Sequence, residues 1–129
     1  MNIALLEDNP PILDYLSTAL EMHGHTVYRF TDSAPLLETI PTGKNAHVSL
    51  PYDLAIIDLL LPGPVSGIET IQKIWQALAP YRLPMIVVTA CGQKELEAAR
   101  ATLPQVPFLR KPFKMRELTQ LINQLQPAT

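Results

Sequence analysis

A single carboxylate, Asp58, interrupts an otherwise apolar run at residues 54–61. A carboxylate among apolar neighbours loses its hydration, so it requires a metal ion, a cation or the open end of a sheet. Polar or charged residues also follow three further apolar runs, and these residues are Glu7, Asp8, Thr89 and Lys111. The groups that could do chemistry therefore recur where buried strands are predicted to end.

Glu7, Asp8 and Asp58 would repel one another strongly if they converged, since unit charges about 4 Å apart interact by roughly 4 kcal/mol at an effective dielectric near 20. A small, hard cation offsets that repulsion, and Mg²⁺ prefers carboxylates, waters and a phosphate oxygen. If Asp58 accepts a phosphoryl group as an acyl phosphate, Lys111 and the Thr89 hydroxyl can stabilise charge on the transferring oxygens. The residues predict a Mg²⁺-dependent phosphoryl-acceptor site that needs no other cofactor.

The elements that must position these residues alternate along the chain. Apolar runs typical of strands begin near residues 3, 26, 54, 85 and 108, and segments with helical spacing of apolar residues follow each of them. Asn9-Pro10-Pro11 is a strong start for the first helix, and Gly24 is expected to end it. The pattern predicts five strands and five helices in an α/β fold.

Continuous apolar strands joined by helices favour a parallel sheet covered on both faces, with right-handed crossovers. The carboxyl ends of such strands lie along one edge, where open α/β sheets bind ligands. We therefore expect Glu7, Asp8, Asp58, Thr89 and Lys111 to meet at that edge.

Composition limits the classes of protein that the chain can represent. A length of 129 residues with 47% hydrophobic content predicts one domain over residues 1–129. The net charge of −2, spread along the chain, does not favour nucleic acid or an anionic membrane as a direct partner. A lone cysteine, Cys91, and the lack of a signal-like or membrane-spanning stretch in the sequence fit a reducing cytoplasm best.

The motifs together resemble the receiver domain of bacterial two-component response regulators, over residues 1 to 125. The residues that carry the resemblance are Glu7-Asp8, Asp58 with Pro62-Gly63, Thr89-Ala90 and Lys111-Pro112-Phe113. The resemblance implies a flavodoxin-like, doubly wound five-stranded parallel sheet of order 2-1-3-4-5. It also implies a switch that receives its phosphoryl group from a histidine kinase or phosphotransfer protein, rather than a dedicated enzyme.

Residue roles follow from the same resemblance. Asp58 would be the phosphoacceptor, and Mg²⁺ would be held by Glu7, Asp8, Asp58 and the Leu60 carbonyl. Thr89 and Lys111 would bind the phosphoryl group, the Lys111-Pro112 bond would be cis, and Phe108 would be the aromatic switch residue.

Several positions depart from the family pattern. The spacing between Pro62-Gly63 and Gly67, filled by Pro64-Val65-Ser66, is one residue longer than is common in the family, which predicts a reshaped loop. Residues 42–52 are interpreted as a surface insertion. The segment 104–107 and Arg110 put dimerisation through the fourth helix, fifth strand and fifth helix in doubt. Lys114 is a poor residue at the start of the fifth helix.

Other interpretations compete with the switch. A flavin carrier would need a Ser/Thr/Gly-rich phosphate loop after the first strand, and a haloacid-dehalogenase-type phosphatase would need an aspartate where Leu60 stands. The serious alternative is a phosphorylation-independent protein-interaction module on the same fold. The downstream partner or appended effector domain cannot be identified from the sequence.

Other single residues carry less weight. Trp75 is predicted to be core, and His23, His25 and His47 to be surface residues. Cys91 is expected to be an inert thiol near the rim of the site. Leu60 and Cys91, each two residues after a site residue, are expected to border the path of water to the acyl phosphate. Because neither side chain can hydrogen-bond that water well, they predict slow dephosphorylation.

Overall fold

The computed structural model describes residues 1–61 and 65–125. The predictions for Pro62-Gly63 and for Pro64 in the reshaped loop lie outside these residues. The strands are β1 (Asn2–Leu6), β2 (Thr26–Phe30), β3 (Leu54–Asp58), β4 (Met85–Thr89) and β5 (Phe108–Arg110). The α-helices are α1 (Pro10–Met22), α2 (Ser33–Glu38), α3 (Gly67–Leu78), α4 (Gln93–Thr102) and α5 (Met115–Leu125), and a short 3-10 helix occupies Ala46–Ser49.

The five strands form one parallel sheet of order β2-β1-β3-β4-β5, which confirms the predicted topology. Ile3 is opposite Leu54, Ala55 is opposite Met85, and Val87 is opposite Phe108. β1, β3 and β4 are flanked on both sides, so their near-continuous apolar sequences are buried. Their carboxyl ends lie along one edge, as the alternation of strands and helices predicts.

Successive residues of the central strands contribute to two hydrophobic cores on opposite faces of the sheet. Ile3, Leu5 and Ile56 pack with α1 and α5. Ala4 and Ile57 belong to the other face, which packs against α2, α3 and α4. This period of two, with helices on both faces, is what a doubly wound sheet requires.

A side chain and a glycine mark the two ends of α1. The Asn9 side chain accepts from the Ile12 N–H at 3.2 Å, as predicted for the start of α1, and Gly24 adopts a φ of 88° just beyond its end. That Lys114 is a poor residue at the start of α5 stays a prediction. The Glu117 carboxylate accepts from the Lys114 N–H at 3.1 Å, which is the contact that the third helical residue makes in a capping box.

Two other expectations need correction. The 42–52 segment is not only a surface insertion, because Ala46 and Tyr52 are buried and the Tyr52 hydroxyl is 2.7 Å from that of Thr39. Trp75 is predicted to be core, but it is only half-buried and packs against the outside of the core to which α3 contributes. In residues 1–61 and 65–125, no helix has both the length and the apolar character needed to cross a membrane.

Candidate functional site

The ends of four strands place the predicted site residues at one edge of the sheet. Asp58 is the last residue of β3, and Thr89 is the last residue of β4. Glu7 directly follows β1, and Lys111 directly follows β5. Because the strands are parallel, the chain turns at each of these points and can present a polar side chain without breaking the ladder.

Three carboxylates converge at this edge. Glu7 and Asp58 are almost fully buried, with 0% and 3% of their surface exposed, whereas Asp8 is exposed. One oxygen from each of the three lies within 4.8 Å of the others. Hard oxygen donors at this spacing, two of them buried and one at the open rim, fit a small divalent cation.

Lys111 links the two buried carboxylates. Its Nζ donates to Glu7 Oε1 at 2.5 Å and to Asp58 Oδ2 at 3.4 Å. The other Asp58 oxygen, Oδ1, accepts from the Leu60 N–H at 3.0 Å. Both oxygens of Asp58 are therefore held by named donors, which fixes the orientation of the carboxyl group.

These contacts shift the protonation of the cluster. Burial, followed by the hydrogen bond and the negative charge of Glu7, raises the pKa of Asp58 to about 7 despite the opposing charge of Lys111. Burial alone would raise the pKa of Glu7, but hydrogen bonds with Asp58 and Lys111 bring it below its usual value. Burial would lower the pKa of Lys111, but contacts with Glu7 and Asp58 outweigh burial and raise it. Asp58 is therefore mostly neutral below about pH 7, and further positive charge would favour its ionised form.

Thr89 is separate from the carboxylate and lysine contacts. Its buried hydroxyl accepts from the Cys91 N–H at 3.1 Å, so the hydroxyl proton can still be donated to another group. Cys91 itself is only 5% exposed and belongs to a hydrophobic core. The expectation of a thiol at the rim, bordering the path of water, is therefore wrong for Cys91, because its side chain packs inward.

Leu60 and Phe108 differ in their surroundings. The Leu60 side chain is 52% exposed, two residues after Asp58, and its place beside the path of water stays a prediction. Phe108 is partly buried at the start of β5 and packs against the core on the α3 and α4 side. The Lys111-Pro112 bond is cis, as predicted, and Ala79-Pro80, which the sequence did not single out, is cis as well.

Gly67 and Ser66 support the site in ways that sequence reasoning missed. A Cβ at Gly67 would lie 2.5 Å from the Asp58 carbonyl oxygen and 2.8 Å from Leu59 Cα, so only glycine lets α3 approach the end of β3 this closely. The Ser66 side chain accepts from the Glu69 N–H at 3.1 Å and caps α3. The available signals were a glycine at the start of a strongly amphipathic helix and a serine directly before it.

Comparisons with known proteins agree with this geometry. A family model described as "Response regulator receiver domain" matches residues 3–123. Among curated proteins, the transcriptional regulatory protein QseB of Escherichia coli O157:H7 is 32% identical over 129 residues, which cover 100% of this chain and 54% of QseB. FixJ of Bradyrhizobium diazoefficiens is 28% identical over 131 residues, which cover 98% of this chain and 59% of FixJ. The chain thus spans little more than half the length of these relatives.

Solved structures share the fold. The non-phosphorylated HemR receiver domain of Leptospira biflexa superposes with a TM-score of 0.76 at 22% identity, covering 99% of this chain and 98% of that one. A CheY-like receiver domain protein of Methanospirillum hungatei also gives 0.76, at 24% identity, covering 95% of this chain and 90% of that one. The sheet order, the polar residues at the strand ends and the family match over residues 3–123 lead to one conclusion: the chain belongs to the receiver domain family of two-component response regulators.

Proposed function

We propose that residues 1–129 form a single receiver domain that acts as a phosphorylation-controlled switch in the cytoplasm. It accepts a phosphoryl group on Asp58 from a histidine kinase or phosphotransfer protein. One observation carries the proposal: a buried aspartate at a strand end is contacted by an ammonium group and lies beside two further carboxylates. A phosphorylation-independent interaction module has no need of this costly charge cluster.

The chemistry assigned to the site is a transfer between two residues. An Asp58 oxygen forms a bond to phosphorus while the P–N bond of the donor phosphohistidine breaks, and the imidazole retains the electron pair of that bond. Lys111 Nζ, which lies 3.4 Å from Asp58 Oδ2, would pair with a phosphoryl oxygen. The Thr89 hydroxyl donates a hydrogen bond to a second oxygen, and the Leu60 N–H keeps the Asp58 carboxyl group oriented.

Glu7, Asp8, Asp58 and the Leu60 carbonyl would hold Mg²⁺. When bound, Mg²⁺ supplies positive charge that offsets both the carboxylates and the phosphoryl oxygens. Glu7 contributes a buried oxygen that Lys111 already contacts, and Asp8 contributes an exposed one that solvent can reach. The same charge would lower the pKa of Asp58 and favour the ionised nucleophile.

The signal would leave the site as a shift between two populations of the domain. Thr89 would reorient toward the phosphoryl group and exchange its present hydrogen bond with the Cys91 N–H. Phe108 at the start of β5 would change its packing in response. The receiver of this signal is a downstream protein or an appended effector domain.

The test is labelling with a small phosphodonor. With Mg²⁺ and acetyl phosphate, the parent protein should gain one phosphoryl group that hydroxylamine removes, as measured by intact-protein mass spectrometry. Asp58→Asn should gain none. Asp32→Asn is the matched control, because Asp32 is exposed and its side chain makes no capping hydrogen bond to α2. Equal labelling of Asp58→Asn and the parent would refute the assignment of the acceptor, and an unlabelled parent would favour the interaction module.

A further inference from the structure

Trp75 and Arg82 form a stacked pair at the end of the sheet opposite Asp58. The guanidinium carbon of Arg82 lies 4.4 Å from the centroid of the Trp75 ring. The Trp75 indole N–H donates to the Leu83 carbonyl at 3.1 Å, which ties α3 to the segment that enters β4. Both partners are therefore held in place: the indole by its hydrogen bond and the guanidinium by the ring face.

Three adjoining clefts share this pair as a wall. The largest has a volume of about 540 Å³ and extends past Gln72, Gln76 and Tyr81. The other two, of about 220 and 150 Å³, extend toward the segment between α4 and β5, past Gln105. Because all three clefts share Trp75 and Arg82, they adjoin one another as one surface. Their other lining residues are mainly apolar, proline and glutamine residues, which give the surface a mixed apolar and amide character.

Arg82 supplies the charge of this surface. Among the described residues that line the three clefts, Arg82 is the single charged one. In the part of the chain that the structure describes, the ion pairs within 4.0 Å are formed by Arg29 and Lys111, so Arg82 has no carboxylate partner there. An exposed guanidinium held against an aromatic ring retains its outward N–H donors for a carboxylate.

We propose that the Trp75–Arg82 surface docks an acidic peptide segment of a partner protein. A carboxylate of the segment pairs with Arg82, and a neighbouring apolar side chain enters the 540 Å³ cleft between Trp75 and Tyr81. Tryptophan, tyrosine and arginine are the residues that most often dominate binding energy at protein interfaces, and all three meet here. Nucleic acid is a poor match for this surface, because its binding depends on several phosphate contacts. The surface offers one cation, and the chain as a whole has a net charge of −2.

This docking surface does not rest on phosphorylation of Asp58. It lies where β4 and β5 begin, whereas Asp58 lies where β3 ends. A partner bound there leaves the phosphoryl site open, so the two functions can be tested separately.

The experiment is selection from a phage-displayed random peptide library on the parent protein, followed by fluorescence anisotropy with the selected peptides made synthetically. Selected peptides should carry an aspartate or glutamate next to an apolar residue. Arg82→Gln should weaken their binding about tenfold, as expected for loss of one charged hydrogen-bonded contact. Gln76→Glu, which places a competing carboxylate in the same cleft, should weaken binding as well.

Two controls separate docking from general effects. Arg116→Gln removes an exposed arginine at the start of α5, outside the clefts, and should bind the peptides like the parent. Arg82→Gln should unfold cooperatively near the thermal midpoint of the parent, which shows that the fold is intact whether or not Asp58 accepts phosphate. Addition of a selected peptide to the parent protein should shift the NMR signal of the Trp75 indole N–H.

Several outcomes would overturn the proposal. These are a library that yields no binder, selected peptides without an acidic residue, and equal binding by Arg82→Gln and the parent. Self-association of the parent that Arg82→Gln abolishes, measured by sedimentation, would assign the surface to a second copy of the chain instead. Binding of a short DNA duplex that depends on Arg82 would assign it to nucleic acid.

Discussion

The chemistry of individual residues depends most on the proton of Asp58. Burial and then Glu7 favour the neutral acid, whereas Lys111 and the Leu60 N–H favour the carboxylate, and the balance gives a pKa of about 7. A carboxyl group with this pKa is ionised in only about half of the molecules in neutral solution, and a further cation would increase that fraction. Acceptance of a phosphoryl group is therefore expected to depend on both pH and metal.

In the absence of metal, this balance predicts that the free energy of unfolding depends on pH. From about pH 4 to 7, Asp58 is ionised in the unfolded chain but protonated in the folded one, so stability falls as pH rises through that window. At pH 8 without Mg²⁺, Asp58→Asn should be more stable than the parent by at least about 1.4 kcal/mol, the free energy of a tenfold change in an ionisation constant. Urea unfolding at several pH values measures the difference, which should vanish below pH 4. A difference independent of pH would contradict the assignment.

The exposed side chain of Leu60 carries a second prediction, on the lifetime of the acyl phosphate. Leucine cannot orient an attacking water, whereas asparagine can. An added contact worth about 1.4 kcal/mol in the transition state speeds a reaction tenfold. Leu60→Asn should shorten the lifetime by up to about tenfold, measured by the decay of labelled protein. Cys91→Ser is the control, because Cys91 is buried and should leave the lifetime nearly unchanged. A stronger effect at Cys91 than at Leu60 would reverse this account.

Among the structural elements, the contact between α3 and β3 controls the geometry of the site. Gly67 brings the start of α3 against the backbone of Asp58 and Leu59, and its N–H is 3.4 Å from the Leu59 carbonyl oxygen. Backbone atoms cannot move aside as a flexible side chain can. The position of the helix and that of the phosphoacceptor are therefore coupled.

Gly67→Ala should consequently destabilise the domain by about 1–3 kcal/mol, the usual cost of overpacking, and slow labelling of Asp58. Thermal unfolding and the rate of labelling by acetyl phosphate measure the two effects. Gly92→Ala is the matched control, since its Cβ would meet only the end of the Glu95 side chain, which can move. Equal stability of the two alanine variants would show that the close approach at Gly67 is not rigid.

The sequence predicted the elements well because the strands are buried and their apolar runs are nearly uninterrupted. The ends of those runs also located Glu7, Asp58 and Lys111, because a charged side chain beside a buried strand keeps a charged partner or solvent only at the open end of the sheet. Sequence reasoning failed where tertiary packing decides. Nothing local to Cys91 indicates that its thiol packs inward, and nothing near Trp75 indicates that Arg82 covers it.

For the whole molecule, crowding of Glu7, Asp8 and Asp58 exists only in the folded state. A cation that binds there should therefore stabilise the fold, by about 2.7 kcal/mol at a concentration one hundred times its dissociation constant. Mg²⁺ should raise the thermal midpoint of the parent, and Asp8→Asn should reduce the shift. Asp32→Asn should retain it. An equal midpoint with and without Mg²⁺ would contradict the metal site.

The brevity of β5 has a consequence for behaviour at high concentration. It lies at the edge of the sheet with three residues, Phe108–Arg110, between Pro107 and the proline that follows Lys111. Proline has no N–H to donate, so a strand from another molecule finds few main-chain partners along this border. We expect this border to resist strand addition and amyloid-like growth, so main-chain pairing with another molecule is left to the opposite edge, the five-residue β2.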